Sequence, residues 1–531
     1  MEIIGFVAVG LLAIAGANAI APRIGVAAPL LLVVLGIAAS FLPALTGFEL
    51  DPEWILALLL PPLLYAAAAS MPTTDFRREF STISALSVVL VVISAIVLGL
   101  FFSWIIPDLN LWWGIALGAV ISPTDAAATA IAKKSKLSGR LISILEGESL
   151  FNDATALVLL RTAVAAAAVS FSFWHTLGTF VYSVVVASAI GIAAGAVILW
   201  SRSKVLDAPV GTMLSFAAPF VASLPAEHLG ASGLVAAVAA GLVSGHGSIK
   251  HLNSQQRMSD KHTWKPLELV LEGTIFLMMG LQVTSLIEDV NHNHEGFTLA
   301  IGGALGALAL VVIIRAAFIV PVLWQLRRVF ARSSRVKERL DGFRTAFAEA
   351  DSDGSLLSAL PTGKRRERFA RRTKRFYADY NYYNAQPLGK GAGVVLLWSG
   401  MRGAITLAAA QTLPVDAPHR SLLVLIAFIA ATVSLLVQGL SLPVVISRFA
   451  PKRNVNALAA QEGRLVARLR EVADAAVADT PAPKRAQKRA QAQYAELLKA
   501  RTEGFYDSEV LQRVLMRIDA EQLYRSLRRE E

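Results

Sequence analysis

Four acidic residues interrupt apolar sequence between Ile121 and Leu160: Asp125 in one hydrophobic segment, and Glu146, Glu148 and Asp153 in the next. A charge at bilayer depth costs a few kcal/mol on insertion scales, so an acid retained there points first to an ion path or a proton relay. On a helix Ser149 and Asp153 fall on one face, four residues apart. Glu148 and Asn152 make a second such pair on the neighbouring face. One face can therefore hold an ion while the other holds the helix in place. Ser122, Pro123 and Thr124 stand directly before Asp125. The proline has no N–H to donate and strains the preceding turn, which frees carbonyls between Ala119 and Ile121 to face a cation. Arg315, within ALVVIIRAAFIVPVLW, is the buried base that such acids require and the natural counter-ion for Glu148. Arg402, flanked by Gly400 and Gly403, interrupts a later apolar segment. Arg161 reads as a base snorkelling toward an interface, Glu227 as a solvated acid, and Glu272 as a buried, hydrogen-bonded structural acid. His246, His292 and His294 read as polar surface.

The elements that must position these groups are membrane helices. Over 531 residues the chain is 55% hydrophobic and 17% charged, with a mean hydropathy of +0.55. Apolar runs of about twenty residues recur from the one near Leu11 to the one near Leu425, and they predict an all-α polytopic membrane protein of about thirteen spans. The first run, Ile3 to Ile20, lacks a basic leader and reads as a retained span. There is no cysteine, which excludes disulfides and thiolate metal sites. The net charge of +11 is concentrated in alternate loops, among them those holding Arg77 and Arg78, Lys133 to Arg140, and Lys250 to Lys265. By the positive-inside rule the N-terminus lies outside and the C-terminal tail in the cytoplasm.

The third span contains Pro61 and Pro62, read either as a packed kink or as site-lining. The interrupted segments are the fifth and twelfth, an odd number of crossings apart, so two inverted repeats are expected whose broken helices cross near the midplane. Residues 1–450 form the membrane domain, and 327–392 a basic cytoplasmic linker between spans eleven and twelve. Within the linker a basic run, Lys364 to Arg375, precedes Tyr377, Tyr380, Tyr382 and Tyr383. Anionic lipid headgroups account for that charge without nucleic acid, at about 1 kcal/mol for each base near the surface. Residues 451–531 are a charged helical tail with a break at Pro481 to Pro483, expected as a solvated appendage.

At these residues the chain resembles the monovalent cation/proton antiporter superfamily, in the branch of NhaP-type and animal sodium/proton exchangers. The resemblance covers about residues 1 to 450 and rests on LPPLLY (60–65), SPTDAAAT (122–129), EGESLFNDATALVL (146–159), EGTIFLMMGL (272–281) and GMRGAITLA (400–408). It implies that Asp153 is the ion and proton carrier, with Asp125, the Thr124 backbone and Ser149 completing a Na+ shell. It also implies that Asn152 joins the broken segments to the sixth span, that Glu148 and Arg315 form a structural ion bridge, and that Arg402 is the basic residue of the second broken helix. A homodimer in the plasma membrane is implied, with spans four to six and eleven to thirteen moving against the rest. Many relatives carry an acidic or polar residue shortly after the LPP stretch, where this chain has Ala66 to Ala69, and that leaves cation preference open.

The expected activity is exchange of Na+, Li+ or K+ for H+ by competition at Asp153, with no cofactor. An empty ionised carboxylate is costly away from water, whereas a protonated or cation-filled one is neutral. Because the Asn152 amide does not titrate, one-for-one electroneutral exchange is expected, serving pH and cation homeostasis. The alternatives are a K+/H+ antiporter, an uncoupled cation channel, and an intramembrane aspartyl protease. The protease is disfavoured because neither Pro-Thr-Asp125 nor Phe-Asn-Asp153 has the Gly-x-Gly-Asp form.

Overall fold

A computed structural model of the chain describes residues 2–42, 54–135, 137–168, 173–205, 207–292, 296–350, 376–384, 386–414, 416–451, 455–478 and 481–530, and every regular element among them is helical. Nine of the described helices are long and apolar enough to cross a bilayer, from Thr73–Ile105 to Arg420–Phe449. Gly5–Ala21, Ala28–Ser40 and Ile55–Ser70 are apolar but shorter. The segment read as a twelfth span is two short helices, Lys390–Trp398 and Ala404–Gln411. The expected total of about thirteen counts these shorter pieces as crossings. Tertiary contacts divide the chain into two units. One comprises residues 1–137, 141–318 and 394–450; the other comprises 138–140, 319–393 and 451–531.

In the first unit, helix starts are set by local chemistry. Asn110 accepts from the Trp112 N–H at 3.2 Å to begin Leu111–Ile121. Asn253 and Gln256 form a reciprocal capping box at the start of Ser254–Leu281. Ahead of Pro61 and Pro62 the helix opens into a π turn over Ile55–Leu59, where the Leu60 N–H reaches five residues back to the Ile55 carbonyl. That places both prolines in the first turn of Leu60–Ser70, where missing N–H groups cost least.

Small residues let these helices approach closely. A Cβ on Gly36 would meet the Gly280 Cα at 2.8 Å, and one on Gly195 the Ala240 Cα at 2.9 Å. Close backbone approach replaces the hydrophobic drive that lipid cannot supply between helices. Between the helices lies a core of alanines around Tyr65 and Trp264, whose rings stand 5.3 Å apart, and the Trp264 indole N–H donates to Ser215 at 2.6 Å. The outer surface is apolar instead: Trp104 and Trp174 are 84% and 78% exposed, the arrangement expected of rings at a membrane boundary.

In the second unit the tail is a packed bundle rather than the solvated appendage expected. Val455–Val477, Ala482–Glu503 and Ser508–Glu530 bury Leu465, Leu469, Leu497, Val510 and Val514 against one another. Gly504, at φ +75°, ends the middle helix in the left-handed conformation that favours glycine. The helical pattern is legible in the sequence, but the burial partner is not. The helix from Phe297 runs unbroken to Ala350, past residue 327. The basic run Lys364 to Arg375 and His294 lie outside the described residues.

The first broken helix is held by approaches of the same kind. A Cβ on Gly118 would meet the Leu98 Cβ at 3.0 Å, and one on Gly114 the Gly99 backbone at 3.2 Å. Gly118→Leu is therefore expected to lower stability by about 1–3 kcal/mol, read as a fall in detergent-solubilised melting temperature. An unchanged melting temperature would show that this approach does not position the helix.

Candidate functional site

The fifth apolar segment folds as two half-helices, Leu111–Ile121 and Ala126–Lys134. Between them Pro123 interrupts the hydrogen-bond ladder, and Asp125 becomes the N-cap of the second half, accepting from the Ala127 N–H at 3.1 Å. The later interruption, residues 399–403, lies between Lys390–Trp398 and Ala404–Gln411. The two breaks meet directly: the Asp125 N–H donates to the Met401 carbonyl at 2.7 Å. Gly403 packs so tightly on the Asp125 carboxyl that a Cβ there would overlap it.

Two buried arginines take up the carbonyls that the breaks expose. Arg402, 1% exposed, donates from Nε to the Ile121 carbonyl at 3.0 Å and from Nη1 to the Gly400 carbonyl. Its own backbone N–H donates to Ser434 at 2.9 Å. Arg315 donates from Nε to the Leu396 carbonyl at 2.9 Å. Each cation thus sits where a half-helix presents the negative end of its dipole. Arg315 also forks onto Glu148, with Nη2 at 2.9 Å from Oε2 and Nη1 bonded to Oε1.

The helix Gly139–Ala168, here termed the site helix, carries Glu148, Ser149, Asn152 and Asp153. The Asn152 Nδ2–H donates to the Thr124 hydroxyl at 2.6 Å, and Thr124 donates onward to Glu148 at 3.3 Å. One directed chain therefore links Asn152, Thr124, Glu148 and Arg315, tying the first break to the site helix. Ser87 adds a bond to the Glu148 carbonyl at 3.3 Å, from a π turn at Ala85–Val89. A small cavity beside this chain is lined by Val91, Ser122, Thr124, Glu148, Asn152, Arg315 and Arg402, and Asp153 is not among its walls.

The other face behaves differently. Asp153 is buried, lies within electrostatic range of Asp125, and has no hydrogen bond from its carboxyl among the described residues. Ser149 is buried on the same face, its hydroxyl donating to the Glu146 carbonyl at 3.3 Å. Glu146 itself pairs with Lys133 at 2.6 Å. Glu148 is cancelled by Arg315, and Arg402 stands as a positive charge at the crossing that also holds Asp125. Asp153 is the carboxylate left over, and one proton or one monovalent cation would neutralise it.

Sequence reasoning missed several supports. Ser434 and Gln438, bonded at 2.7 Å, hold the second break from Arg420–Phe449; their four-residue spacing in an apolar segment was the available signal. Ser122, bonded to the Val91 carbonyl at 3.3 Å, and the Met401 carbonyl had none. Glu272 departs from its expected state. It is half-buried, with no side-chain hydrogen bond or ion pair among the described residues. Arg161 pairs with Glu227 at 3.0 Å where both are about half exposed.

The fold is that of a polytopic transporter built on a pair of crossed, broken helices. It matches the sodium proton antiporter MjNhaP1 of Methanocaldococcus jannaschii with a TM-score of 0.60 at 14% identity, over 85% of this chain and 99% of that one. Residues 9–448 match the family model described as sodium/hydrogen exchanger, transmembrane, and the chain belongs to that family of transporters. It is 35% identical over 271 residues to an uncharacterized Na(+)/H(+) exchanger of Escherichia coli (strain K12), YjcE; the match spans 49% of each chain, about half the length of that relative. It is 31% identical over 282 residues to the sodium, potassium, lithium and rubidium/H(+) antiporter of Bacillus subtilis (strain 168), over 49% of this chain and 40% of that one.

Removing one partner of the Glu148–Arg315 pair strands a charge away from water. Arg315→Ala and Glu148→Ala are each expected to lose about 3–5 kcal/mol of stability, measured as a drop in melting temperature and in yield of monodisperse protein. A stable Arg315→Ala protein would contradict a bridging role.

Proposed function

We propose that this protein is a secondary antiporter that exchanges Na+ for H+ by alternating access, with Asp153 occupied in turn by the cation and the proton. The observation that carries the reading is Asp153 itself: a buried carboxyl within electrostatic range of Asp125, with no hydrogen bond among the described residues. Such a group is costly when empty and charged and neutral when filled, so the loaded site can change its access while the empty ionised one cannot. Competition for one carboxylate is sufficient for coupling. Asp125, the Thr124 backbone and Ser149 complete the cation shell, and hard oxygen ligands of this kind suit a monovalent metal ion.

The charge arrangement supports one-for-one exchange, because a single neutralising charge fills the site and Asn152 adds no titrating group. The working assembly is a homodimer in the plasma membrane, N-terminus outside and C-terminus cytoplasmic. K+/H+ exchange is a second reading, favoured by the cation range in the name of the Bacillus subtilis relative.

In proteoliposomes with an internal pH dye, addition of Na+, Li+ or K+ in turn is expected to move protons for at least one cation. Asp153→Asn is expected to abolish that exchange while eluting as folded protein. Persistent exchange by Asp153→Asn would refute the assignment of the carrier.

A clamped membrane potential is expected to alter neither rate nor end point of exchange by the unsubstituted protein. A response to potential as a driving force would overturn the one-for-one stoichiometry.

A further inference from the structure

The site helix begins at Gly139, and its first turn belongs to the same compact unit as the linker and the tail. Arg140 is 4% exposed. Its backbone N–H donates to the Gln386 side-chain oxygen at 2.7 Å, and its guanidinium donates to the Gln386 carbonyl at 3.0 Å. The guanidinium also lies 4.6 Å from the centre of the Tyr383 ring. Gln386 thus does for a free N–H of the first turn what a capping side chain does, from a distant part of the chain.

The remaining face of Gln386 reaches the tail. Its Nε2–H donates to Asp507 Oδ2 at 2.9 Å, while the other Asp507 oxygen accepts from the Glu509 N–H at 3.0 Å. The Asp507 N–H donates to Gln461 of the first tail helix at 3.0 Å. A Cβ on Gly139 would lie 3.8 Å from either Asp507 carboxylate oxygen. The acid therefore stands at the positive end of the site helix, where the helix dipole favours a negative charge. Each bond in this set is between groups that a merely solvated tail would leave in water.

We infer that Gln386 and Asp507 are positioning residues for Asp153: through Arg140 they fasten the first turn of the site helix and so hold that helix at its end. Arg140 and Asp153 stand thirteen positions apart on continuous helix, about 20 Å at the usual rise. A helix held at its end keeps Ser149 and Asp153 in register with the crossed breaks. A helix released there can slip, which widens the cation shell before it unfolds anything. The inference rests on the exchange reading above.

Asp507→Ala and Gln386→Ala, assayed as full-length protein in proteoliposomes, are expected to raise the apparent KM for Na+ about three- to tenfold while the maximal rate stays within about twofold. The double variant is expected to be no worse than either single one, as for groups in one bonded chain. A purely structural part would lower the melting temperature and leave KM alone. Because the natural chain has no cysteine, Gly139→Cys with Asp507→Cys supplies the only thiols. The reduced pair is expected to show the raised KM, and oxidation to cross-link the two positions and restore it. Unchanged KM in the single variants, thiols that fail to cross-link, or exchange that stops on cross-linking would each overturn the inference. Wild-type exchange and its loss in Asp153→Asn, run alongside, separate that failure from a failure of the exchange reading.

Discussion

A helix broken inside hydrocarbon exposes backbone groups that no solvent will satisfy, and the rest of the structure follows from how this chain answers that constraint. At Pro123 and at Gly400 to Gly403 the ladders stop. The freed Ile121, Gly400 and Leu396 carbonyls are taken by Arg402 and Arg315, and the Met401 carbonyl by the Asp125 N–H. Each break thus supplies part of what the other lacks.

The same answer sets the charge at the crossing. Two arginines brought in to close carbonyls carry positive charge into low dielectric, where it needs opposite charge close by. Glu148 meets Arg315 directly, and Asp125 stands at the crossing that Arg402 closes. Asp153 is buried without a hydrogen bond from its carboxyl among the described residues, and no arginine pairs with it there. The ion-paired and the unbonded acid fall on adjacent faces of one helix because Glu148 and Asn152 are rotated from Ser149 and Asp153 by about 100°.

Close helix contact extends this logic outward. Gly99, Gly114 and Gly118 bring the first broken helix against its neighbour at backbone distance, and Ser122 bonds across the same interface. Where a polar group found no such neighbour, as at Glu272, it stands half-buried without a bond. Depth in the sequence therefore did not guarantee a partner in the fold.

The sequence by itself determined the membrane class, the two interruptions and the acids and bases that accompany them, because hydrophobic length, proline chemistry and the cost of buried charge are local properties of a segment. The face on which each residue of the site helix lies was equally local, being a matter of helical period. Which carbonyl each arginine closes, that Ser434 and Met401 complete the crossing, and that the charged tail packs into a bundle bonded to the start of the site helix were decided only by tertiary structure. Those pairings join residues far apart in the chain, and a linear pattern holds no distance between them.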